Sequence, residues 1–171
     1  MPTDPLIQDL SVLFLRDLDG LRREIELYPD DAAPWADVPG LPNRGGTLAL
    51  HLAGNLRHFV GAILGASGFV RDRDLEFSAR NVPRAEMLEK IAAARREVEA
   101  GLEGLDPAAL DQDYPMPLGG RTISTRQFLI HLAMHLTFHL GQIDYHRRAA
   151  TGDSKSAGVI PLGTLGREAA A

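Results

Sequence analysis

The chain has 171 residues and a mass of 18.6 kDa, a length that fits one domain over residues 1–171 able to bury a real core. A 44% hydrophobic and 24% charged composition without cysteine excludes disorder, a disulfide scaffold, thiolate metal ligands and a cysteine nucleophile, so any thiol chemistry needs a thiol from outside. A formal charge of -5 with no dense basic stripe argues against nucleic-acid binding.

The start, Met1-Pro2-Thr3-Asp4-Pro5, lacks the basic residues and apolar core of a signal peptide, and no apolar run approaches the ~20 residues of a membrane span. The expected location is cytoplasmic, without a membrane partner. Leu6, Leu10, Leu13, Phe14, Leu18, Leu21 and Ile25 recur at spacings of three and four and predict a first helix over 5–28, ended by Pro29. Pro29, Pro34, Pro39 and Pro42 make the stretch to Gly46 a long connection that Trp35 is expected to pin to the core.

A second helix is predicted over 47–64, with Leu48, Leu52, Leu56, Phe59 and Ile63 on one stripe and His51 among them. Gly54, Gly61 and Gly65 each cost this helix roughly 1 kcal/mol relative to Ala, and close approach of another helix accounts for some of them. Residues 69–77 alternate charged and apolar groups too irregularly for a regular element and are expected to form an ordered loop. Pro83 opens a third helix to about Leu102, with Met87, Ile91, Ala94 and Val98 inward and Gly104 as its stop. After a short turn capped by Asp106, Pro115, Pro117, Gly119 and Gly120 make a second long loop.

Ser124 and Gln127 stand at capping-box spacing and open a fourth helix to about Ala150, with Gly152 as its C-terminal signal and Arg147 and Arg148 favouring that end electrostatically. The expected fold class is all-α, a four-helix bundle with long loops after helices one and three. The segment 153–171 is expected to be peripheral, with Arg167–Ala171 frayed.

Three of the six histidines, His131, His135 and His139, follow one another at spacings of four. Residues four apart on a helix have Cβ atoms about 5–6 Å apart and can share one ion. The outer two are separated by about 12 Å of helix rise, so a pair must be chosen. At about 100° per residue, His139 lies nearest the mean direction of Phe128, Leu129, Leu132, Leu136 and Ile143, and His135 lies next. His131 drifts to the flank, where it can be a group supporting the ligands, a substrate contact or a partly exposed residue. His51 is the third candidate ligand, since packed helices lie about 8–10 Å apart and inward imidazoles can close that gap around an ion. The other reading is a set of hydrogen-bonded core histidines without metal. His58 is placed near the rim and His146 two turns beyond His139.

The segments Thr47-Leu-Ala-Leu-His51-Leu-Ala-Gly-Asn55-Leu-Arg57-His58-Phe59, Arg71-Asp-Arg73-Asp74-Leu-Glu76-Phe77 and His135-Leu-Thr-Phe-His139-Leu-Gly141-Gln142-Ile143 resemble the DinB superfamily over roughly residues 5–152. That superfamily comprises metal-binding four-helix proteins related to bacterial thiol S-transferases and to mycothiol-dependent maleylpyruvate isomerase. The resemblance implies metal ligation by His51, His135 and His139, a divalent ion with zinc or nickel as the leading candidates, and a homodimer. Asn55, His131, Gln142, Arg71 and Arg73 are the candidate supporting or substrate-contacting groups.

Many relatives carry His-Arg-Gly-Gln after the last ligand, whereas Leu140 stands here at the Arg position. Arg71 or Arg73 is the alternative source of that charge, unless each is a solvated loop residue or a partner of Asp74 or Glu76. The expected function is a metal-dependent transferase that activates a low-molecular-weight thiol towards an electrophile, because three neutral imidazoles leave an ion's charge uncompensated. A non-catalytic metal-binding stress-response protein, a metal-dependent hydrolase and a helical interaction module are the alternatives. Two of the four helices would supply the ligands, leaving the other two and the segment Arg71–Phe77 to wall the cavity.

Overall fold

A computed structural model describes residues 4–166, and among these the fold is all-α. The helices are α1 (Pro5–Glu26), α2 (Gly45–Leu56), α3 (Arg73–Ser78), α4 (Arg84–Glu103) and α5 (Thr125–Thr151), with α2 continued by a π-helical segment, Arg57–Leu64. The only extended pairings among the described residues are single bridges, Asp113 to Ser124 and Leu118 to Arg121. No helix there is long and apolar enough to cross a membrane. The tail Arg167–Ala171, expected to fray, lies outside the described residues.

Helix α1 starts where the Asp4 side chain accepts from the Leu6 amide at 2.8 Å, with Pro5 in the first turn. Its buried stripe is Ile7, Leu10, Phe14, Leu18, Leu21 and Ile25, with Ile7 taking the place expected for Leu6. Burial of each such side chain contributes roughly 1.5–3 kcal/mol. Helices α4 and α5 both pack on α1 and on α2, so the four long helices surround one apolar core. Met87, Ile91, Ala94 and Val98 face it from α4, and Phe128, Leu129, Leu132, Leu136 and Ile143 from α5, as their spacing predicts.

The second helix begins at Gly45, slightly before the expected Thr47, and does not stay α-helical. After Leu56 the chain widens into π turns, and the Gly65 amide reaches back five residues to the Val60 carbonyl at 3.0 Å. This segment runs against α4 closely enough that a Cβ on Gly65 would sit 2.9 Å from the Gly101 Cα. Close approach thus accounts for this glycine. The loop before α2 is tied down by Trp35, which is buried and donates from Nε1 to the Val82 carbonyl at 3.1 Å.

Residues 69–77 are not simply a loop, because Arg73–Ser78 forms helix α3. The Asp72 carboxylate caps it by accepting from the Leu75 amide at 2.8 Å. Its inward group is the carboxylate of Glu76 while Leu75 is 57% exposed, which is why no apolar periodicity announced it.

Arg147 also departs from expectation. Read as a charge favouring the end of α5, it is fully buried and donates to Glu24 at 2.5 Å, to Asp144 at 3.2 Å and to the Lys155 carbonyl at 2.7 Å. Arg148 stays at the helix end, pairing with Asp144 at 2.9 Å and donating to the Ser154 carbonyl. Arg23 adds bonds to the carbonyls of Ala157 and Gly158 at 2.9 and 3.0 Å. Residues 154–158 therefore lie as a strap held through its carbonyls by cations of α1 and α5.

His146 belongs to this framework. Its Nε2–H donates to the Ala36 carbonyl at 3.0 Å and its Nδ1 accepts from the Tyr28 hydroxyl at 2.7 Å, joining α5 to both ends of the 28–36 connection. Burial holds the imidazole below its ordinary pKa against the Ala36 hydrogen bond, which pulls it upward. A histidine neutral when folded contributes stability above the unfolded value of about 6.5 and loses it as the pH falls below that. The His146→Gln protein should be less stable at pH 7.5, and the difference from the parent in urea midpoint should shrink between pH 7 and pH 5.

Candidate metal centre

His51 lies on the inward side of α2, and His135 and His139 lie one turn apart on the facing side of α5. The Nε2 atoms of His51 and His135 are 3.3 Å apart, and ligand atoms of all three rings lie within 4.8 Å of one another. Two imidazoles on one tetrahedral ion at about 2.05 Å would have their nitrogens about 3.3 Å apart. The three rings can therefore hold a metal ion with little movement.

The outer ring nitrogens support this orientation. His51 Nδ1 faces Glu76 Oε2 at 3.1 Å and His139 Nδ1 faces Gln142 Oε1 at 2.6 Å. Both oxygens accept, so each Nδ1 carries the proton and each Nε2 keeps its lone pair for an ion. His135 Nδ1 is buried without a partner. That ring is positioned by its neighbours, at 4.5 Å from the His139 ring and 5.2 Å from that of His51.

Burial, helped by His139, His51, His131 and Arg71, pushes His135 down to about 4. Burial also holds His139 below the usual imidazole value, opposed by Gln142 and assisted by His51. Both rings are neutral at pH 7, as metal ligation requires.

Glu76 was foreseen only as a possible partner of Arg71 or Arg73. Arg71 grips it from Nε and Nη2, both at 2.7 Å, and Nη2 also lies 3.3 Å from His51 Nδ1. Burial alone would raise the Glu76 carboxyl, but the hydrogen bonds from Arg71 and His51 outweigh it and hold it below the usual range. Arg71 thus keeps charged the carboxylate that orients His51.

Gly54 makes room for this arrangement, since a Cβ there would collide with Glu76 Oε1. Displacing a carboxylate that orients a ligand typically costs ~10–100-fold in metal affinity. Gly54→Ala should weaken zinc binding by that order in a chelator-competition titration, with the helical circular dichroism retained.

Around the three rings lies a cavity of about 550 Å³ lined also by Asn43, Leu48, Asn55, Phe59, Arg71, Arg73 and Phe77. No lining residue comes from α1 or α4, contrary to expectation. The walls are α2, its π continuation, α3, α5 and the connections. Phe59 is held in its wall by ring contacts with Phe128 at 5.1 Å and Tyr114 at 6.3 Å, and its carbonyl accepts from the Tyr114 hydroxyl at 2.7 Å.

His131 is exposed, stacked on Phe128 at 6.0 Å and outside the three-histidine group. His58 is half-buried beside Phe59 and also outside it. Leu140, the residue after His139, is 1% exposed and supplies no charge.

The family model of the DinB superfamily matches residues 14–143. The chain belongs to the DinB superfamily. The matched span of this DinB protein contains α2, α3, all three clustered histidines and Gln142. Comparison with curated proteins and with solved structures finds no match.

Proposed function

We propose that this DinB protein binds one divalent ion, zinc or nickel, through Nε2 of His51, His135 and His139 and uses it to activate a small thiol for transfer to an electrophile. The supporting observation is the donor set itself, with Nε2 atoms of His51 and His135 facing each other at 3.3 Å and the outer nitrogens of His51 and His139 bonded to Glu76 and Gln142. Without a proton or a cation between them, two lone pairs at that distance repel. The four long helices are read as the DinB type of four-helix bundle, with the site between its second and last long helices.

Catalytic zinc sites keep a position open, whereas structural sites are closed by four protein ligands. Among the described residues the group has three members, and Glu76 is engaged on the far side of His51. This favours the enzyme reading over a metal staple. The chemistry that a divalent ion supplies when bound is to lower the pKa of a coordinating thiol so that it is ionised at neutral pH. Held by His51, His135 and His139, the ion would present the ionised thiol to an electrophilic carbon, whose leaving group would depart with its electron pair while the thiol proton passes to solvent. The chain has no cysteine, so no protein thiolate competes for the open position.

Glutathione, mycothiol and bacillithiol should each be tested for conjugation to a model electrophile with zinc- and nickel-loaded protein. Conjugation above background that is lost in His51→Ala is the expected result with at least one thiol. Background rates with all three, from protein verified to hold one equivalent of metal, would leave a non-catalytic metal-binding protein.

A further inference from the structure

Helix α2 and its continuation carry two stripes. Leu48, His51 and Phe59 line the metal cavity, whereas Leu50, Ala53, Gly54 and Arg57, at spacings of three and one turn, line a separate pocket of about 180 Å³. The two cavities share no lining residue. Small side chains at 53 and 54 leave the hollow, Phe69, Val70 and Leu75 enclose it from the connection and α3, and Lys90 reaches it from α4. Val70 is 87% exposed and Leu75 57%, so two large apolar side chains stand in water at its mouth.

The charged side chains in this wall already have partners. Arg57 donates twice to Glu97, at 2.9 and 2.7 Å, and lies 3.9 Å from the Phe69 ring centre. Asp72 caps α3, Glu76 is held by Arg71 and His51, and Lys90 pairs with Glu86 at 3.1 Å. A charged ligand would lose its water without gaining a partner, whereas a neutral apolar one gains by leaving water. An apolar cavity of about 150 Å³ accommodates one benzene ring, so the space suits a single ring.

Glu76 joins this pocket to the metal centre. Its side chain lines the pocket, while its carboxylate orients His51. An occupant packed between Leu75 of α3 and Leu50 and Ala53 of α2 braces the short helix against α2 and so keeps that carboxylate on His51. Resting on the metal-site reading for what is regulated, we infer that the pocket is an effector site for a neutral apolar molecule the size of one aromatic ring, whose occupancy tightens metal binding. By linkage the metal tightens the effector by the same factor.

Benzyl alcohol is the neutral probe, with benzoate and benzylamine as its anionic and cationic counterparts. Titrated into the zinc-free full chain, benzyl alcohol should shift the methyl NMR signals of Leu50, Val70 and Leu75 saturably and leave Leu48, in the metal cavity, unmoved. The charged probes should bind about fivefold more weakly. At saturation benzyl alcohol should slow exchange of the His51 Nδ1–H with water about threefold in zinc-free protein and tighten zinc about threefold in chelator competition. Leu75→Ser should weaken the alcohol about fivefold and remove both effects, while keeping the parent's melting temperature and its zinc affinity without the alcohol, since Leu75 is mostly exposed. No saturable shift, saturation at Leu48 instead of Leu50, equal affinity for the three probes, or binding that changes neither zinc affinity nor His51 exchange would each overturn the inference and leave the metal centre standing. Failure of zinc to bind would remove the metal reading, and the zinc-free shifts and His51 exchange would still decide the effector site.

Discussion

His139→Ala is expected to abolish tight zinc binding while His131→Ala leaves it intact, as read by competition with a chromophoric chelator at pH 7.5. The two histidines flank His135 symmetrically in sequence, yet only His139 shares the cluster with His51, the two ring centres lying 5.5 Å apart. His139 is also the ring that Gln142 orients, at 2.6 Å. His131 instead stacks on Phe128 and is exposed. Structural zinc in small peptides contributes apparent binding free energies of about 10–16 kcal/mol, so losing one of three ligands should weaken binding by several orders of magnitude. Loss in His131→Ala with binding retained in His139→Ala would show that the site is centred one turn earlier on α5.

The largest effect on stability is expected at Arg147, far from the metal. Arg147→Met leaves Glu24, which is fully buried, without the cation that bonds its Oε2 at 2.5 Å. Removing one partner of a buried pair typically costs about 3–5 kcal/mol, whereas replacing both with apolar groups is often neutral. The single variant should therefore unfold at much lower urea, and Glu24→Leu with Arg147→Met should recover most of the loss.

Burial pushes the Glu24 carboxyl up to about 7 even with Arg147 in place, with Asp144 adding to the rise. Its ordinary value is 4.5, so the ionisation-linked cost of burying it is absent when it is protonated in both states and grows once the unfolded carboxyl ionises. That penalty grows as the pH rises from 4.5 to 7. Without Arg147 the carboxyl lies higher still, so the deficit of the single variant should narrow as the pH falls towards 7 and level off below it. A deficit independent of pH would mean that lost packing, not an unpaired carboxylate, sets the cost.

Much of this was readable from spacing. Apolar residues at three and four laid out the long helices, and Ser124 caps α5 by accepting from the Gln127 amide at 3.3 Å. The meeting of His51 with His135 and His139 followed from helical phase, because an imidazole inside an apolar stripe has to face a neighbouring helix.

What escaped was polar burial. Helix α3 has a buried carboxylate where a helix ordinarily presents a leucine, so the 3.6-residue period had nothing to register. Arg147 looks like a favourable charge near a helix C-terminus until α1 is known to present Glu24 opposite it. A signal existed, since Asp17 and Glu24 fall on the same face of α1 as Leu21, and both are buried. The partner of Glu24, however, lies more than a hundred residues away and has no local pattern. The shape of the cavity escaped for a related reason: which helices wall it depends on packing order, which periodicity within each helix does not encode.

Zinc X-ray absorption on tag-free, zinc-loaded protein tests the central claim most directly. The account predicts one equivalent of zinc with three imidazole nitrogens at about 2.0 Å and a single further light-atom ligand. A shell dominated by carboxylate oxygens, a fourth protein ligand, or zinc retained unchanged in His51→Ala would contradict it.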